Sequence, residues 1–231
     1  MKHARRTTIV ISTVLIAISA ILLSNALAQR PSRPGADRQG DAALEKHPVA
    51  KDDNEQKIFG ILENIRENQS YRNVPPQDGR FLRIMTEAMN AKNVVEIGTS
   101  TGYSGIWFGL ALQKTGGKLT TFEIDAQRAA TARENFKKAG MADIITVILG
   151  DAHEGVKNLK DPIDVLFLDA DKEGYIDYLD KLMPLVRPGG LVIAHNINPR
   201  MADPKYMEAI TTNSNLETIV RSGVSITLKK R

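Results

Sequence analysis

The 231 residues contain no cysteine. That excludes disulfides, thiolate metal sites and thiol nucleophiles, and it is compatible with any redox compartment. An excess of one charge is nearly missing too. The net charge is +4, and Lys2, Arg5 and Arg6 carry most of it. The remainder is almost neutral and gives no general argument for nucleic-acid binding. No internal repeat is visible. The apolar run from Ile9 to Leu23 is short for a membrane span. What is present is an ordinary globular composition, 42% hydrophobic and 25% charged, in a chain long enough for one sizeable α/β domain with extra pieces.

Residues 1–28 read as a secretory signal peptide. Lys2, His3, Arg5 and Arg6 form a basic start, and Ser12, Thr13 and Ser19 alone relieve the apolar core. Ala26-Leu27-Ala28 fits a small-x-small cleavage site, with Gln29 as the mature start. The alternative is an uncleaved membrane anchor. Either way the bulk of the chain is expected outside the cytoplasm, periplasmic or secreted, because the positive end stays inside. The lack of a cysteine after the apolar core excludes a lipoprotein. Residues 29–51, with Pro31, Pro34, Gly35, Gly40 and Pro48, read as a flexible linker. Residues 52–231 are the expected folded domain, beginning with helices.

The segment Val94-Val95-Glu96-Ile97-Gly98-Thr99-Ser100-Thr101-Gly102-Tyr103-Ser104-Gly105 organises that domain. It reads as a buried strand, a glycine-rich turn and a helix start. Gly98 and Gly102 permit backbone conformations that a Cβ would penalise, and the helix N-terminus offers unpaired N–H groups to a polar or anionic ligand. The spacing G-x-x-x-G-x-x-G differs from the G-x-G-x-x-G of dinucleotide binders. Glu96 breaks the apolar run near the strand's C-terminal end, where it suits a cationic or hydroxyl-bearing ligand.

Upstream, Ile58, Phe59, Ile61, Leu62 and Ile65 share one helical face, which Asp52 or Asp53 can cap. Asn73-Val74-Pro75-Pro76 interrupts, and Asp78 starts a second helix. Downstream, strands are expected at Leu119–Ile124, Ile144–Leu149, Ile163–Leu168 and Leu191–Ala194. Helices alternate with them: one continuing through Trp107 to Gln113, then Ala126–Ala139, a short one around Val156, and Tyr175–Val186. Pro188-Gly189-Gly190 is expected to end the last of these. A helix at Pro204–Thr212 and a hairpin of Leu216–Val220 and Val224–Leu228 close the chain. The sum is an α/β fold, a doubly wound and mainly parallel seven-stranded sheet with an antiparallel C-terminal edge hairpin.

In such a sheet the loops at the strands' C-terminal ends share one crevice. Here they carry Glu96, then Glu123 and Asp125, Asp151 and His153, Asp169, Asp171 and Lys172, and His195 with Asn196. Glu123 can accept both hydroxyls of a ribose, while Asp125 is better placed as a helix cap. Asp151 and Ala152 would flank an adenine, and His153 reads as a loop residue rather than a catalyst.

From about Asn73 onward the chain resembles class I S-adenosylmethionine-dependent methyltransferases. It is most similar to the small O-methyltransferases related to caffeoyl-CoA and catechol O-methyltransferases. The resemblance rests on residues 94–104, on Thr121-Phe122-Glu123-Ile124-Asp125, on Phe167-Leu168-Asp169-Ala170-Asp171-Lys172 with Tyr175, and on Arg187-Pro188-Gly189-Gly190-Leu191-Val192. Residues 73–82 resemble the segment that closes over the methionine end of the cofactor. The resemblance implies an enzyme that transfers a methyl group to a small hydroxylated acceptor, aromatic or otherwise. Val74, Glu96, Gly98, Thr99, Ser104, Glu123, Asp151 and Ala152 would hold S-adenosylmethionine. Asp169 would sit between cofactor and metal, and Lys172 would be the general base. A homodimer is admitted; nucleic acid is not expected, and a membrane only through an uncleaved leader.

One departure concerns a divalent metal. The relatives use an aspartate after the fourth strand and an Asp-Asn pair after the fifth, but here the pair is His195-Asn196. Imidazole is a poor ligand for Mg²⁺ or Ca²⁺. Three readings stay open: a nitrogen-accepting metal on Asp169, His195 and Asn196; metal-free catalysis with His195 as an added base; or a chain that only binds. The rivals are an exported, non-catalytic binding protein for a nucleoside or other small molecule, and a nucleotide-linked dehydrogenase.

Overall fold

A computed structural model describes residues 45–69 and 71–231. The leader and most of the linker lie outside the described residues. Residues Met1–Lys46 and His47–Arg231 are separate units, and the account below concerns the second.

Helix α1, Asp53–Asn68, begins where Asp52 accepts the Glu55 amide at 2.9 Å. Ile58, Leu62 and Ile65 fall on its buried face at helical spacing. Helix α2, Pro76–Ala88, has proline in its first turn, where the missing N–H costs nothing. Its Arg83 pairs with Glu55 of α1. Helix α3, Tyr103–Thr115, is buried along nearly its whole length. It therefore shows no polar face, as a helix covered on all sides requires. Gly79 of α2 lies so close to the Trp107 ring of α3 that no side chain would fit there.

The sheet contains β1 Asn93–Ile97, β2 Lys118–Glu123, β3 Ile145–Leu149, β4 Ile163–Leu168, β5 Val186–His195, β6 Leu216–Arg221 and β7 Val224–Lys229. Their order is β3-β2-β1-β4-β5-β7-β6. The first five are parallel, and β7 runs antiparallel to both β5 and β6. The remaining helices are α4 Ala126–Lys138, α5 Ala152–Gly155, α6 Tyr175–Leu182 and α7 Pro204–Thr212.

Two cores cover the two faces. Alternate residues divide between them, as the two-residue period of a strand dictates. Val94, Val165, Phe167 and Ile193 join α1, α2, α3 and Phe136 of α4. Val95, Ile97, Leu166, Leu168 and Val192 join α6 and α7. The expected sheet and edge hairpin are present. Ser222 and Gly223 turn the hairpin with φ of 49° and 80°, the positive pair that matches strand twist.

One expected boundary is wrong. The helix from Tyr175 stops at Leu182, and β5 starts at Val186, ahead of Pro188-Gly189-Gly190 rather than after it. Ile163 pairs with Val186 but Val165 with Leu191, so the proline-glycine segment is a bulge inside the strand. Gly189 supplies its φ of 80°. Lys229 donates to the carbonyls of Met183 and Val186 at 2.9 and 2.7 Å, which satisfies the bend. Among the described residues no helix is long and apolar enough to cross a membrane.

The first face depends on close approach. A Cβ built on Gly105 would stand 2.7 Å from the Phe136 ring. Gly105→Ala is expected to cost about 1–3 kcal/mol by overpacking. Urea unfolding checks this through a lowered midpoint at unchanged slope; an unchanged midpoint contradicts the packing described.

Candidate functional site

The chain order reverses between β1 and β4, and the crevice of a doubly wound sheet opens at such a switch. Here the carboxyl ends of β1, β2, β4 and β5 border a cavity of about 830 Å³. That size suits a small-molecule ligand.

The turn after β1 forms its floor. Gly98 has φ of 105°, and a Cβ there would meet the Asp169 carbonyl at 2.5 Å. Only glycine accommodates both demands. The amides of Gly98 and Thr99 both donate to Phe122 O at 3.0 Å, which ties the turn to β2. Ser100 has a positive φ of 50°. Its amide donates to Glu123 Oε2 at 2.8 Å. The glycine-rich turn and the acid ending β2 are therefore joined directly.

Glu123 is heavily used. Its Oε1 accepts from the Asp125 amide at 3.0 Å and from Arg128 Nε and Nη2 at 3.1 and 2.7 Å. Asp125 caps α4 through the Arg128 amide. The Arg128 guanidinium lies 4.9 Å from the Tyr71 ring centre. Tyr71, Arg72, Asn73 and Val74 form a strap at the cavity wall. Thr101 holds Asn73 at 2.9 Å, and Ser100 Oγ donates to Tyr71 O at 2.5 Å.

Glu96 is fully buried and does not border the cavity. Ser104 Oγ and Thr121 Oγ1 donate to its two oxygens at 2.5 and 2.6 Å. It stands behind the wall, with Ser104 between it and the open space. Burial pushes its carboxyl up from 4.5 to about 7, against the hydrogen bonds of Ser104 and Thr121, while Asp169 and Glu123 add repulsion.

Asp151 caps α5, accepting the His153 amide at 2.8 Å. His153 stacks on Tyr178 with ring centres 4.2 Å apart. Its Nδ1 meets Asp177 at 2.5 Å and its Nε2 meets Asp171 at 3.3 Å. Both ring nitrogens are held by carboxylates.

The opposite end of the cavity is built from β4, β5 and α2. The Asp169 amide donates to Ile97 O at 2.9 Å. Its Oδ1 accepts from Lys172 Nζ at 3.0 Å. Lys172 also donates to Tyr175 Oη at 2.7 Å. That phenol is in turn anchored on the carbonyls of Leu168 and His195. Burial pushes the Tyr175 phenol far up, so it stays a neutral donor.

His195 is 6% exposed. Its Nε2 lies 2.8 Å from Asp78 Oδ2 and its Nδ1 lies 3.4 Å from Asp169 Oδ1. The Nδ1–Asp169 contact is an ion pair rather than an aligned hydrogen bond. Burial opposes a charge on the ring, but Asp169 and Asp78 outweigh it and push His195 up to about 9. Asn196, with φ of 60°, borders the same space.

Of the residues singled out in the sequence, Val74, Gly98, Thr99, Ser104, Glu123, Asp151, Ala152, Asp169, Lys172, His195 and Asn196 all line this one cavity, and Glu96 does not. Sequence reasoning missed Asp78 and Arg128 as site residues. Asp78 read only as the opening of a helix, and nothing local signals a partner 117 positions away. Arg128 carried a faint signal, five residues beyond Glu123 in the first turn of the next helix.

This sheet order with antiparallel β7, and this cavity at its switch point, define a Rossmann-like methyltransferase fold. The chain belongs to the O-methyltransferase family, whose model matches residues 53–213. Catechol O-methyltransferase of Niastella koreensis is 38% identical over 143 residues, which is 60% of this chain and 63% of that protein. Catechol O-methyltransferase of Mycobacterium tuberculosis is 35% identical over 125 residues, 54% of this chain and 56% of that protein. The matched part is thus less than two thirds of either relative's length. The structure of an O-methyltransferase from Bacillus cereus in complex with SAH superposes with a TM-score of 0.66 at 27% identity, covering 79% of this chain and 93% of that one. Family membership sets the dehydrogenase reading aside.

Glu96 gives a pH test. The folded protein keeps a proton on it that the unfolded chain releases, so stability is expected to fall as pH rises from 4.5 to about 7. The loss is on the order of 3 kcal/mol. Glu96→Gln, which imitates the protonated acid, is expected to flatten that slope in denaturant titrations. A variant with the parent's slope assigns the dependence elsewhere.

Proposed function

We propose that the chain is an S-adenosylmethionine-dependent O-methyltransferase acting on a small hydroxylated acceptor of the catechol or phenol class. The observation that carries this is the joining of two unlike ends in one cavity. At one end a glycine turn is hydrogen-bonded to Glu123. At the other a lysine is fixed on Asp169.

The donor set fits the cofactor. Glu123 offers carboxylate oxygens to a ribose diol, with Asp151 and Ala152 beside it for the base. The backbone from Gly98 to Ser100 lies bare against the space between. Ser104, with Glu96 behind it, offers polar contacts to the amino-acid end. When bound, S-adenosylmethionine supplies an electrophilic methyl group on a sulfonium.

The chain's residues then do three things. The walls align the acceptor oxygen with the methyl carbon, which replaces a bimolecular encounter by a held geometry. Transfer from the bound cofactor would break its C–S bond as the acceptor's C–O bond forms. The acceptor's proton passes to Lys172 Nζ. As the neutral amine, that nitrogen spends its two N–H groups on Asp169 and Tyr175, and its lone pair is left to take the acceptor's proton. Asp169, His195 and Asn196 are the residues that would hold a divalent ion, whose charge favours loss of the hydroxyl proton. The Lys172–Asp169 pair supports turnover over ligand binding alone.

Lys172→Met is expected to lower kcat by about 10²–10⁴-fold, with S-adenosylmethionine affinity changed by less than about threefold. Glu123→Ala is expected to weaken cofactor binding, read by calorimetry. A lysine variant with parental turnover on catechol removes the assigned base. A protein that binds no S-adenosylmethionine removes the proposal.

The proposal includes export, supported by the basic start and the Ala26-Leu27-Ala28 site. Fractionation and N-terminal sequencing are expected to find a mature chain beginning at Gln29 outside the cytoplasm. An intact Met1 on cytoplasmic protein overturns that part.

A further inference from the structure

We propose that strand β6 is a self-association surface. Two copies of the chain pair antiparallel through their β6 edges, about a two-fold axis at Ile219, and their sheets become continuous. The inference goes beyond the methyltransferase reading and does not depend on it.

The sheet ends on β3 at one side and β6 at the other. The two edges are finished differently. On β3, Arg133 of α4 donates to Val147 O at 2.9 Å, so a helix side chain covers that strand. Native edges are commonly blunted by proline, lysine or a bulge. The β6 sequence Leu-Glu-Thr-Ile-Val-Arg has neither residue, and it pairs with β7 in unbroken register from Leu216 to Arg221.

That register decides which backbone groups point away from the sheet. Lys230 N donates to Asn215 O at 2.8 Å, and hydrogen-bonded pairs alternate along an antiparallel ladder. Glu217, Ile219 and Arg221 therefore turn their amides and carbonyls toward Leu228, Ile226 and Val224 of β7. Thr218 and Val220 turn theirs outward. Among the described residues no backbone partner meets them.

A two-fold axis at Ile219 sets Thr218 opposite Val220 of the second copy, and the reverse. Both positions offer outward groups, so each pair exchanges N–H···O bonds in both directions. Ile219 meets its own twin in a non-hydrogen-bonded pair, where side chains stand closest. Glu217 falls opposite Arg221 of the second copy on both sides of the axis. Opposite charges in directly facing positions attract, and like charges destabilise. An axis at Thr218 or Val220 also aligns outward groups, but it sets Ile219 against Glu217 or Arg221. Charge complementarity thus selects one register and one partner, a second copy of this chain.

The surface agrees. Ile219 is 54% exposed, Val220 40% and Leu228 37%, all on this hairpin. Thr218 donates to Ile210 O of α7, so α7 lies on one face, while Ile219 and Leu228 lie on the other. Within the chain Glu217 meets Lys230 at 3.3 Å, an exposed contact worth little. Edge pairing buries a modest area, which puts the dimer in the weak class, with a micromolar Kd. The interface also braces the acceptor end: Val224 pairs with His195, and Ile197 N donates to Gly223 O at 2.8 Å.

The test is sedimentation equilibrium of the full chain over a concentration series, where a monomer–dimer equilibrium is expected. Val220→Pro removes an amide that β7 does not use and is expected to weaken the dimer at least about tenfold. Glu217→Arg and Arg221→Glu each set like charges opposite one another, and each is expected to weaken it about tenfold. An equimolar mixture of those two variants pairs Arg with Glu at both positions. It is expected to recover the parent's affinity, which also shows that both variants are folded. Because the chain has no cysteine, Ile219→Cys is expected to cross-link on mild oxidation, its paired Cα atoms being about 4.5 Å apart. Glu217→Cys, about 14 Å from its twin, is expected not to. A chain that stays monomeric at millimolar concentration, a dimer indifferent to Val220→Pro, a mixture no tighter than either variant alone, or equal cross-linking at the two positions overturns the proposal.

Discussion

The approach of the Gly98 backbone to the Asp169 carbonyl is the contact on which the rest depends. The first turn of a parallel sheet has to clear the neighbouring strand while bending away from it. Here the clearance leaves no room for a Cβ, which would fall 2.5 Å from Asp169 O. The Asp169 amide on Ile97 O fixes β4 to the same spot. The Gly98 and Thr99 amides on Phe122 O bind β2 to it from the other side. Three strand ends are locked by a few backbone bonds, so their side chains inherit fixed positions without needing loops to settle. Functional groups held on such rigid elements lose less to disorder than groups on long loops.

The two ends of the cavity solve different electrostatic problems. At the glycine end a carboxylate is kept ready by donors: two amides and the Arg128 guanidinium surround Glu123. Glu96, a strand position away from open space, has only hydroxyl partners and feels the burial as a raised proton affinity. At the acceptor end charges alternate from α2 to β5 to β4: Asp78, His195, Asp169 and Lys172. Alternation lets four ionisable groups share a low-dielectric space, because each one faces the opposite sign. The strap at residues 71–74 closes the third side and is tied to the glycine turn through Thr101 and Ser100.

Placement of Pro188-Gly189-Gly190 shows how local signals mislead. Proline followed by two glycines reads as the end of a helix and a turn before the next strand. In the fold these residues lie within β5, because pairing of Val186 with Ile163 and of β5 with β7 outweighs their poor strand propensity. The misplacement left the site untouched, since the cavity lies at the other end of the strand, at His195.

Alternating burial in the strands, capped helices and positive-φ glycines were all legible from residue order, because each depends on a handful of neighbours. So was the collection of Glu123, Asp151, Asp169, Lys172 and His195 at one sheet edge, since a parallel sheet necessarily gathers the ends of its strands. Two things needed the tertiary structure. One is the withdrawal of Glu96 behind Ser104, which follows from which face of β1 a single position occupies. The other is the meeting of Asp78 with His195, set by how α2 packs on α3 beside the sheet. Contacts across long sequence separations are decided by the packing of whole elements, and no local pattern in either segment carries them.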